Sequence, residues 1–593
     1  QKDQILQALS DVKILDPACG SGAFPMGALH KIILALKKLD PSAKWWKQKQ
    51  LEKVSNALIR NQLKEKLDAA TSDYARKLGV IQHSIYGVDI QPIASEISKL
   101  RSFLSLVIDE NIDDKAQNRG IEPLPNLEFK FVTANTLIGL PEEQGQQISM
   151  FDNYEELQLL EQLRADYLQS SGKKKEKIKE RFLRVQKKAF KNEHNLFADT
   201  NSRSYKLISW NPFTNEASSW FDPQWMYGVE KFDIVIGNPP YVFTRDVSFG
   251  SGFKDYVNDE YFKDIALPSK SKSRQAGKIN LFAIFLLKGK KLIHKEGNLI
   301  YIIPNNILRG TVYDVIRYEL IKNANVTSIV DLGEGVFSKV TASTILFQLS
   351  NKTSPDFETE ILTDVESLQE NKYKTKYINQ NVFLENTSYT FNIMLNKEQM
   401  ALSSKIDTNK KSLGECCIDI IAGIAASKDL IFEKPEDGTF ELFEGKDIKR
   451  FYFGEAKNHI IWKPNLIART RPDYLWKEDK KIVNQRISGG TMPLVFALDT
   501  KKRRTFNSTN NIVLKKSLKN HYEFFTCLLN SKLINWYYAN NFSNNSNLTV
   551  NISKTFLETL PIQLPNENVL AKINDLHREL ENTYGTDAFN ENY

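Results

Sequence analysis

The sequence predicts an α/β protein built on a doubly wound, mostly parallel sheet, followed by a smaller α+β domain. Three observations carry this. Short apolar strands alternate with helical stretches as far as Leu349, the pattern of a parallel sheet with crossover helices. The first strand runs into a glycine-rich turn, and the second ends on a carboxylate, as in sheets that bind nucleotide-like ligands at their strand tips. Beyond Leu349 the apolar runs shorten, and Asn, Lys and aromatic residues take over.

The expected strands are Val12–Asp16, Ile85–Ile90, Leu127–Asn135, Phe232–Asn238, Gly297–Pro304, Val326–Leu332 and Ser343–Leu349, with helices such as Gly27–Leu39 and Ile279–Ile293 between them. Residues 141–217 interrupt this rhythm with polar and charged sequence, including the lysine-rich stretch Lys173–Lys188. That stretch reads as the solvated face of a helix, with a phosphate-contacting arm as the sharper alternative. "SNKTSPDFETE" reads as linker, and Glu567–Gly585 as an amphipathic terminal helix.

The chain has 593 residues, 41% of them hydrophobic and 26% charged, with a net charge of +8. This is a globular composition of two to four domains, and its charge permits a polyanionic partner without requiring one. No apolar run approaches the roughly 20 residues of a membrane span. The four cysteines, Cys19, Cys416, Cys417 and Cys527, are too scattered for a disulfide framework or a zinc site, which suggests a reducing cytoplasm. The seven histidines show no metal spacing.

The chemistry concentrates at strand ends. "DPACGSGAFPMG" (Asp16–Gly27) follows the first strand. It lacks the third glycine of a dinucleotide fingerprint and the G-K-[ST] of a P-loop, but Gly20 and Gly22 let a ligand approach the backbone. Asp89, ending the second strand, is placed to hold ribose hydroxyls, and Ile90 would offer an apolar face to a base. Asn135 ends the third strand. The fourth ends in "GNPPY" (Gly237–Tyr241). Two prolines cannot donate to a strand ladder, so a rigid turn must stop the strand there, with an amide on one side and a flat ring on the other.

In this order, "DPACGSG", "GVDIQP", "ANTL" and "IGNPPYV" resemble S-adenosyl-L-methionine-dependent amino-methyltransferases acting on DNA. "KINLFAIFLLKG" (Lys278–Gly289), "IIPNNIL" and "DLGEGVF" match the gamma class, in which the cofactor motif precedes the NPPY motif. "FEGKDIKRFY", "KIVNQRI", "LLNSKLINWYY" and "LETLPIQLP" resemble the TaqI-type specificity domain. The long insertion is similar to that of large Type IIG restriction–modification enzymes and related phage-defence methyltransferases.

The resemblance implies a Rossmann-like methyltransferase domain over residues 1–350 with 141–217 as insertion, a linker over 351–395, a C-terminal α+β target-recognition domain over 396–565, and a terminal helix over 566–593. It implies N6 methylation of an adenine in double-stranded DNA, in the bacterial or archaeal cytoplasm, as part of a restriction–modification or defence system. It assigns the cofactor to Asp16, Pro17, Ala18, Cys19, Gly20, Gly22, Asp89, Ile90 and Asn135. The chemistry falls to Asn238, Pro239, Pro240, Tyr241, Phe337 and Asn135. The Asn238 side-chain oxygen and the Pro239 carbonyl accept the two amine hydrogens, Tyr241 and Phe337 flank the extruded ring, and Asn135 approaches the amine. A further cofactor motif and, in the Type IIG pattern, a nuclease and helical connector are expected upstream. The chain is expected to act as a monomer, beside such a nuclease domain or a partner subunit.

Backbone contacts to DNA are expected from Lys480, Lys481, Arg486, Lys501, Lys502, Arg503 and Arg504. "PEDGTFELFEGK" (Pro435–Lys446) mimics a nuclease metal site, but in a chain this rich in Glu and Lys such patterns arise readily. The same turn chemistry also serves cytosine-N4, RNA and glutamine-amide methylases. A DNA-binding defence subunit without catalysis is the remaining alternative.

Overall fold

The computed structural model describes residues 1–52, 60–61, 64–65, 67, 71–109, 115, 126–141, 154–168, 170, 172–193, 202–247, 249, 252–265, 279–337, 343–407, 411–463, 465–489, 492–542 and 550–583. Much of the charged insertion (142–153, 169, 171 and 194–201), Lys278 and the end of the terminal helix (584–593) lie outside the described residues. The chain divides into two compact units, one of residues 1–304 with 318–381 and the other of 305–317 with 382–593.

The first unit is organised by β1 (Ile14–Asp16), β2 (Ile85–Asp89), β3 (Phe131–Thr133), β4 (Phe232–Gly237), β5 (Ile293–Pro304), β6 (Asn325–Gly333), β7 (Thr344–Ser350), β8 (Glu358–Ser367) and β9 (Lys372–Asn379). They form one nine-stranded sheet in the order β3-β2-β1-β4-β5-β7-β6-β8-β9. Strands β1 to β5 run parallel, β7 is antiparallel to both β5 and β6, and the edge pair β8–β9 is antiparallel. The chain winds outward from β1 through β2 to β3, then returns to β4 on the other side of β1. The carboxyl ends of β1 and β4 therefore form the topological switch point, where such sheets bind ligands.

Helices bury their apolar faces on this sheet. Ala23–Leu39 inserts Leu29, Ile32, Ile33 and Leu36 beside Ile14 and Phe131. Leu281–Leu292 is buried along nearly its whole length and starts at Asn280, whose Oδ1 accepts the Phe282 N–H. In the insertion, Tyr154–Leu168 pairs with Gly172–Glu193 around Leu160, Leu163 and Phe182. Lysines of the basic stretch lie over rings there, Lys175 on Tyr167 and Lys179 on Phe213. Among the described residues, no helix is long and apolar enough to cross a membrane.

Two stretches differ from the expectation. Leu127–Phe129 is a 3-10 turn, so β3 is shorter than the apolar run suggested. Residues 351–395, expected as linker, contain β8 and β9, which extend the sheet beyond β6. The hairpin reads as linker because "KYKTKYIN" is an edge strand whose charged side chains face water, with Ile378 its buried anchor; charge on an edge blunts it against further pairing.

The second unit is rich in β-structure. Cys417–Ala422, Thr509–Leu514, Lys481–Gln485 and Phe496–Asp499 make one antiparallel sheet, and Ile431–Phe432, Asn458–Ile461, Thr439–Phe443 and Arg504–Thr505 make a second, mixed sheet in which the last two strands run parallel. Helices Tyr522–Asn530, Lys532–Phe542 and Lys554–Glu558 pack an aromatic core of Phe525, Tyr538, Phe542 and Phe556. Buried Arg317 ties residues 305–317 to this unit by donating to the carbonyls of Ile307, Gly310, Ser388 and Tyr389.

Candidate active site

The loop after β1 is shaped by two left-handed glycines. Gly20 has φ +52° and open space where a Cβ would stand. Gly22 has φ +81°, and a Cβ there would come 2.9 Å from Ser98 Oγ. Backbone strain selects glycine at both positions, and close packing against the helix Pro92–Val107 selects it again at Gly22. Ser98 Oγ also donates to the Gly20 carbonyl at 3.0 Å, and Arg101 to the Ser21 carbonyl at 3.0 Å.

Asp89 connects this loop to β2. Its Oδ2 accepts the Gly20 N–H at 2.8 Å, and its Oδ1 the Gln91 N–H at 2.9 Å. Each carboxylate oxygen has a further acceptor site, so Asp89 can hold the loop and still take a ligand hydroxyl. Ile90, next along, is exposed. Thr136 Oγ1 donates to the Pro17 carbonyl at 2.7 Å, and the Cys19 N–H to the Val88 carbonyl at 2.8 Å. The tips of β1, β2 and β3 are thus hydrogen-bonded into one edge. Cys19 is buried beside Ser98, and burial pushes its thiol well up, so it stays a neutral packing group.

Asp16 links the loop to β4. It is buried, its Oδ1 accepts the Ala18 N–H at 3.1 Å, and a Cβ on Gly237 would stand 2.7 Å from the same oxygen. Any side chain at Gly237 would have to displace this carboxyl. Burial raises its pKa to about 8; the Ala18 N–H opposes this, and the Asp89 charge adds to it. The unfolded carboxyl titrates near 3.8, so the folded state holds a proton that the unfolded state releases. The contribution to stability is full below the unfolded value and is lost as pH rises through about 8. Asp16→Asn, which cannot ionise, is therefore expected to gain stability relative to the parent as pH rises from 5 to 9, as read by thermal melts across that range.

The "GNPPY" turn follows. Pro239 is buried, Pro240 exposed, and Asn238 and Tyr241 half-buried. The Tyr241 hydroxyl donates to the Ile302 carbonyl on β5 at 3.0 Å, and its ring meets Phe282 edge-on at 6.2 Å between centroids. The ring orientation is therefore set by two neighbouring elements. Asn238 Oδ1 is buried and has no hydrogen-bond partner among the described residues. An acceptor left this way costs about 1–3 kcal/mol, and such groups in native structures call for an explanation.

Asn135 is buried at the end of β3; its N–H donates to Ser218, and its Oδ1 accepts the Leu137 N–H at 3.2 Å. Phe337 lies in the loop after β6, partly exposed, behind left-handed Gly333 and Gly335. No ring contact joins it to Tyr241 among the described residues. Ser98 and Arg101 carry no local sequence signal, and Thr136 and Phe282 lie inside the motifs "ANTL" and "KINLFAIFLLKG" without being marked out by them; each matters through a partner far away in the chain.

The expected DNA contacts in the second unit fare unevenly. Lys481 is a correction. It is fully buried, pairs with fully buried Asp499 at 2.7 Å and donates to the Arg503 carbonyl at 2.9 Å. A strand interior, not a surface, holds this lysine. Arg503 also bonds Asp499, at 3.1 Å, and stacks on Phe453. Arg504 lies 3.9 Å from the ring centroid of Phe440. Lys480 pairs with Glu523 and Lys502 with Asp479. Lys501 is exposed, and Arg486 donates to the Asn507 carbonyl at 2.8 Å. In the stretch that mimics a nuclease site, Glu444 and Asp447 are committed to capping one turn, and Lys446 pairs with Glu444.

Residues 83–337 match the model of the Eco57I restriction-modification methylase, and residues 440–562 that of the TaqI-like C-terminal specificity domain. The chain is 24% identical over 99% of its length to RM.MjaORFECS2P of Methanocaldococcus jannaschii, named a type II restriction enzyme and methyltransferase. It spans 51% of that relative's length. It is also 31% identical, over 27% of its length and 28% of the relative's, to the type II methyltransferase M.AccI of Acinetobacter calcoaceticus. The fold is similar to that of the Type IIL restriction-modification enzyme MmeI in complex with DNA, at a TM-score of 0.52 and 12% identity, covering 99% of this chain and 68% of that one. It is likewise similar to DrdV in a DNA complex, at a TM-score of 0.52 and 10% identity, covering 98% of this chain and 56% of that one. The edge built from the tips of β1 to β3, joined through Asp16 and Gly237 to the NPPY turn, thus falls largely in the stretch, residues 83–337, that is similar to the Eco57I restriction-modification methylase, while residues 440–562 are similar to the TaqI-like specificity domain.

Proposed function

We propose that the chain transfers a methyl group from S-adenosyl-L-methionine to the N6 amine of an adenine extruded from a specific duplex DNA sequence. It does so as the modification and specificity part of a restriction–modification or phage-defence system. The carrying observation is Asn238 Oδ1, a buried acceptor without a donor among the described residues, at the head of a rigid prolyl turn.

The residues fit the cofactor. Gly20 leaves open space above a left-handed backbone, and Asp89 keeps acceptor capacity for a ribose. When bound, S-adenosyl-L-methionine supplies an electrophilic methyl on a sulfonium. The chain's part is to make the amine nucleophilic. The adenine amine has its lone pair delocalised into the ring and carries two N–H donors. Asn238 Oδ1 and the Pro239 carbonyl accept both and favour a pyramidal nitrogen. These bonds strengthen as positive charge develops in the transition state. The nitrogen would become acidic only once methylated and would then give its proton to water, so the chain need supply no strong base. The prolines hold the acceptors in place, which matters because a ~1 Å displacement costs ~100-fold in rate. Tyr241 offers a ring face to the extruded base, a contact worth about 1–3 kcal/mol.

The test is to incubate the chain with methyl-labelled cofactor and duplex DNA, digest the product and separate its nucleosides. Label in N6-methyladenine is expected. Label in N4-methylcytosine, RNA or protein, with none in adenine, would overturn the assignment.

A further inference from the structure

An open groove of about 660 Å³ lies within the second unit, between the strand Cys417–Ala422 and the loop Ile467–Pro472. Four cationic side chains line it, Arg469, Arg471, Arg486 and Lys554, against one carboxylate, Asp419. That carboxylate is neutralised by Lys554 at 2.6 Å. Among the described residues, the arginines have no such partner in the groove. Burial, and then the charges of Arg469 and Arg486, depress the Arg471 guanidinium, a sign that three like charges share the space without compensation. Such a site is built for an anionic ligand.

Arg471 differs from its neighbours in being held. It has φ +70°, a left-handed conformation that is costly for a side chain of this size. Surrounding bonds enforce it. Ala425 and Arg469 exchange backbone hydrogen bonds at 3.1 and 3.0 Å, and Trp476 Nε1 donates to the Thr470 carbonyl at 3.0 Å. Arg471 Nε donates to the Gly423 carbonyl at 2.9 Å. Gly423 is itself packed tightly against the neighbouring backbone: a Cβ there would meet the Phe506 and Thr505 carbonyls at 2.2 and 2.3 Å. With Nε committed, the two terminal nitrogens of Arg471 present a fixed fork. A fixed arginine fork matches O6 and N7 of guanine in the major groove, the commonest specific base contact. Arg486, tied by Nη1 to Asn507, and exposed Arg469 sit beside it as phosphate contacts.

We propose that this groove seats the duplex and that Arg471 reads a guanine of the recognition sequence, flanked by phosphate contacts from Arg469 and Arg486. The inference rests on the reading of the chain as a DNA methyltransferase. It places base reading, which the sequence left unassigned, on a loop that no motif marks, beside Arg486, one of the expected backbone contacts.

The test selects bound duplexes from a random-sequence pool with the whole chain, a readout that needs no methyl transfer. The parent is expected to enrich a motif containing guanine. Arg471→Lys keeps the charge and loses the fork, so it should relax one guanine position by about 10- to 100-fold with the thermal melt unchanged. Arg469→Gln should keep the motif and lower the slope of log affinity against log salt by about one phosphate contact. A motif unchanged in Arg471→Lys would overturn the base assignment. A salt slope unchanged in Arg469→Gln would overturn the groove. A chain that enriches a motif but labels no adenine would sink the proposed reaction and leave Arg471 standing. A chain that binds no duplex would sink both.

Discussion

Asn238→Ala is expected to abolish methyl transfer while leaving the melting temperature unchanged or slightly raised. The two halves of this result come from one atom. Asn238 Oδ1 is buried with no donor among the described residues, so the folded chain carries its desolvation cost, about 1–3 kcal/mol, with nothing in return. Removing the amide removes that cost. In the proposed reaction the same oxygen takes one of the two amine hydrogens. By analogy with preorganised donors at other active sites, its loss should lower kcat by about 10²–10³-fold or more. Asn238→Asp, which retains an oxygen acceptor, should keep part of the activity. Differential scanning calorimetry and single-turnover methylation on the same preparations check both halves. A variant that loses activity and several degrees of stability together would show that the amide is structural and that its oxygen has a partner.

Lys481→Ala is expected to unfold the second unit in milder denaturant, at a cost of about 3–5 kcal/mol, the usual penalty for breaking a buried ion pair from one side. Lys481 and Asp499 are both fully buried, 2.7 Å apart. Asp499 also accepts the Lys501 and Arg503 N–H groups and the Arg503 guanidinium. This carboxylate therefore closes the loop that follows Phe496–Asp499. Removing the ammonium leaves buried negative charge under-compensated. Lys481→Met with Asp499→Leu should recover part of the loss, because a buried pair exchanged for apolar groups of similar volume is often tolerated. Urea titration followed by tryptophan fluorescence reads this out. A normal melt with weaker DNA binding and a shallower salt slope would instead restore the phosphate role suggested by the basic stretch.

The two residues show where sequence reasoning reaches and where it stops. Around Asn238 the proposed chemistry lies in five contiguous residues, and the prolines enforce a backbone that no distant partner has to supply. The same holds for Gly20 and Gly22, whose left-handed φ values need glycine whatever packs nearby. Lys481 sits in a basic stretch and reads as surface, yet its strand is central, with Thr509–Leu514 on one side and Phe496–Asp499 on the other. Arg471 is the opposite case. Nothing around it signals a site, and its role follows from Gly423, Trp476 and Asn507-tied Arg486, which converge only after folding. The β8–β9 hairpin was read as linker because an edge strand exposes its polar face.

By itself, the sequence determined the α/β class, the run of strands from β1 to β7, the glycine-rich turn after β1 and the rigid prolyl turn at Asn238. Each is a local matter of period, backbone geometry or side-chain chemistry within a few residues. The tertiary structure alone decided which cations are buried and which face a groove, that the Asp16 carboxyl lies against the passage of Gly237, and that Asn238 ends with an acceptor unanswered among the described residues. Burial and pairing depend on residues far apart in the chain, and only folding brings them within hydrogen-bonding distance.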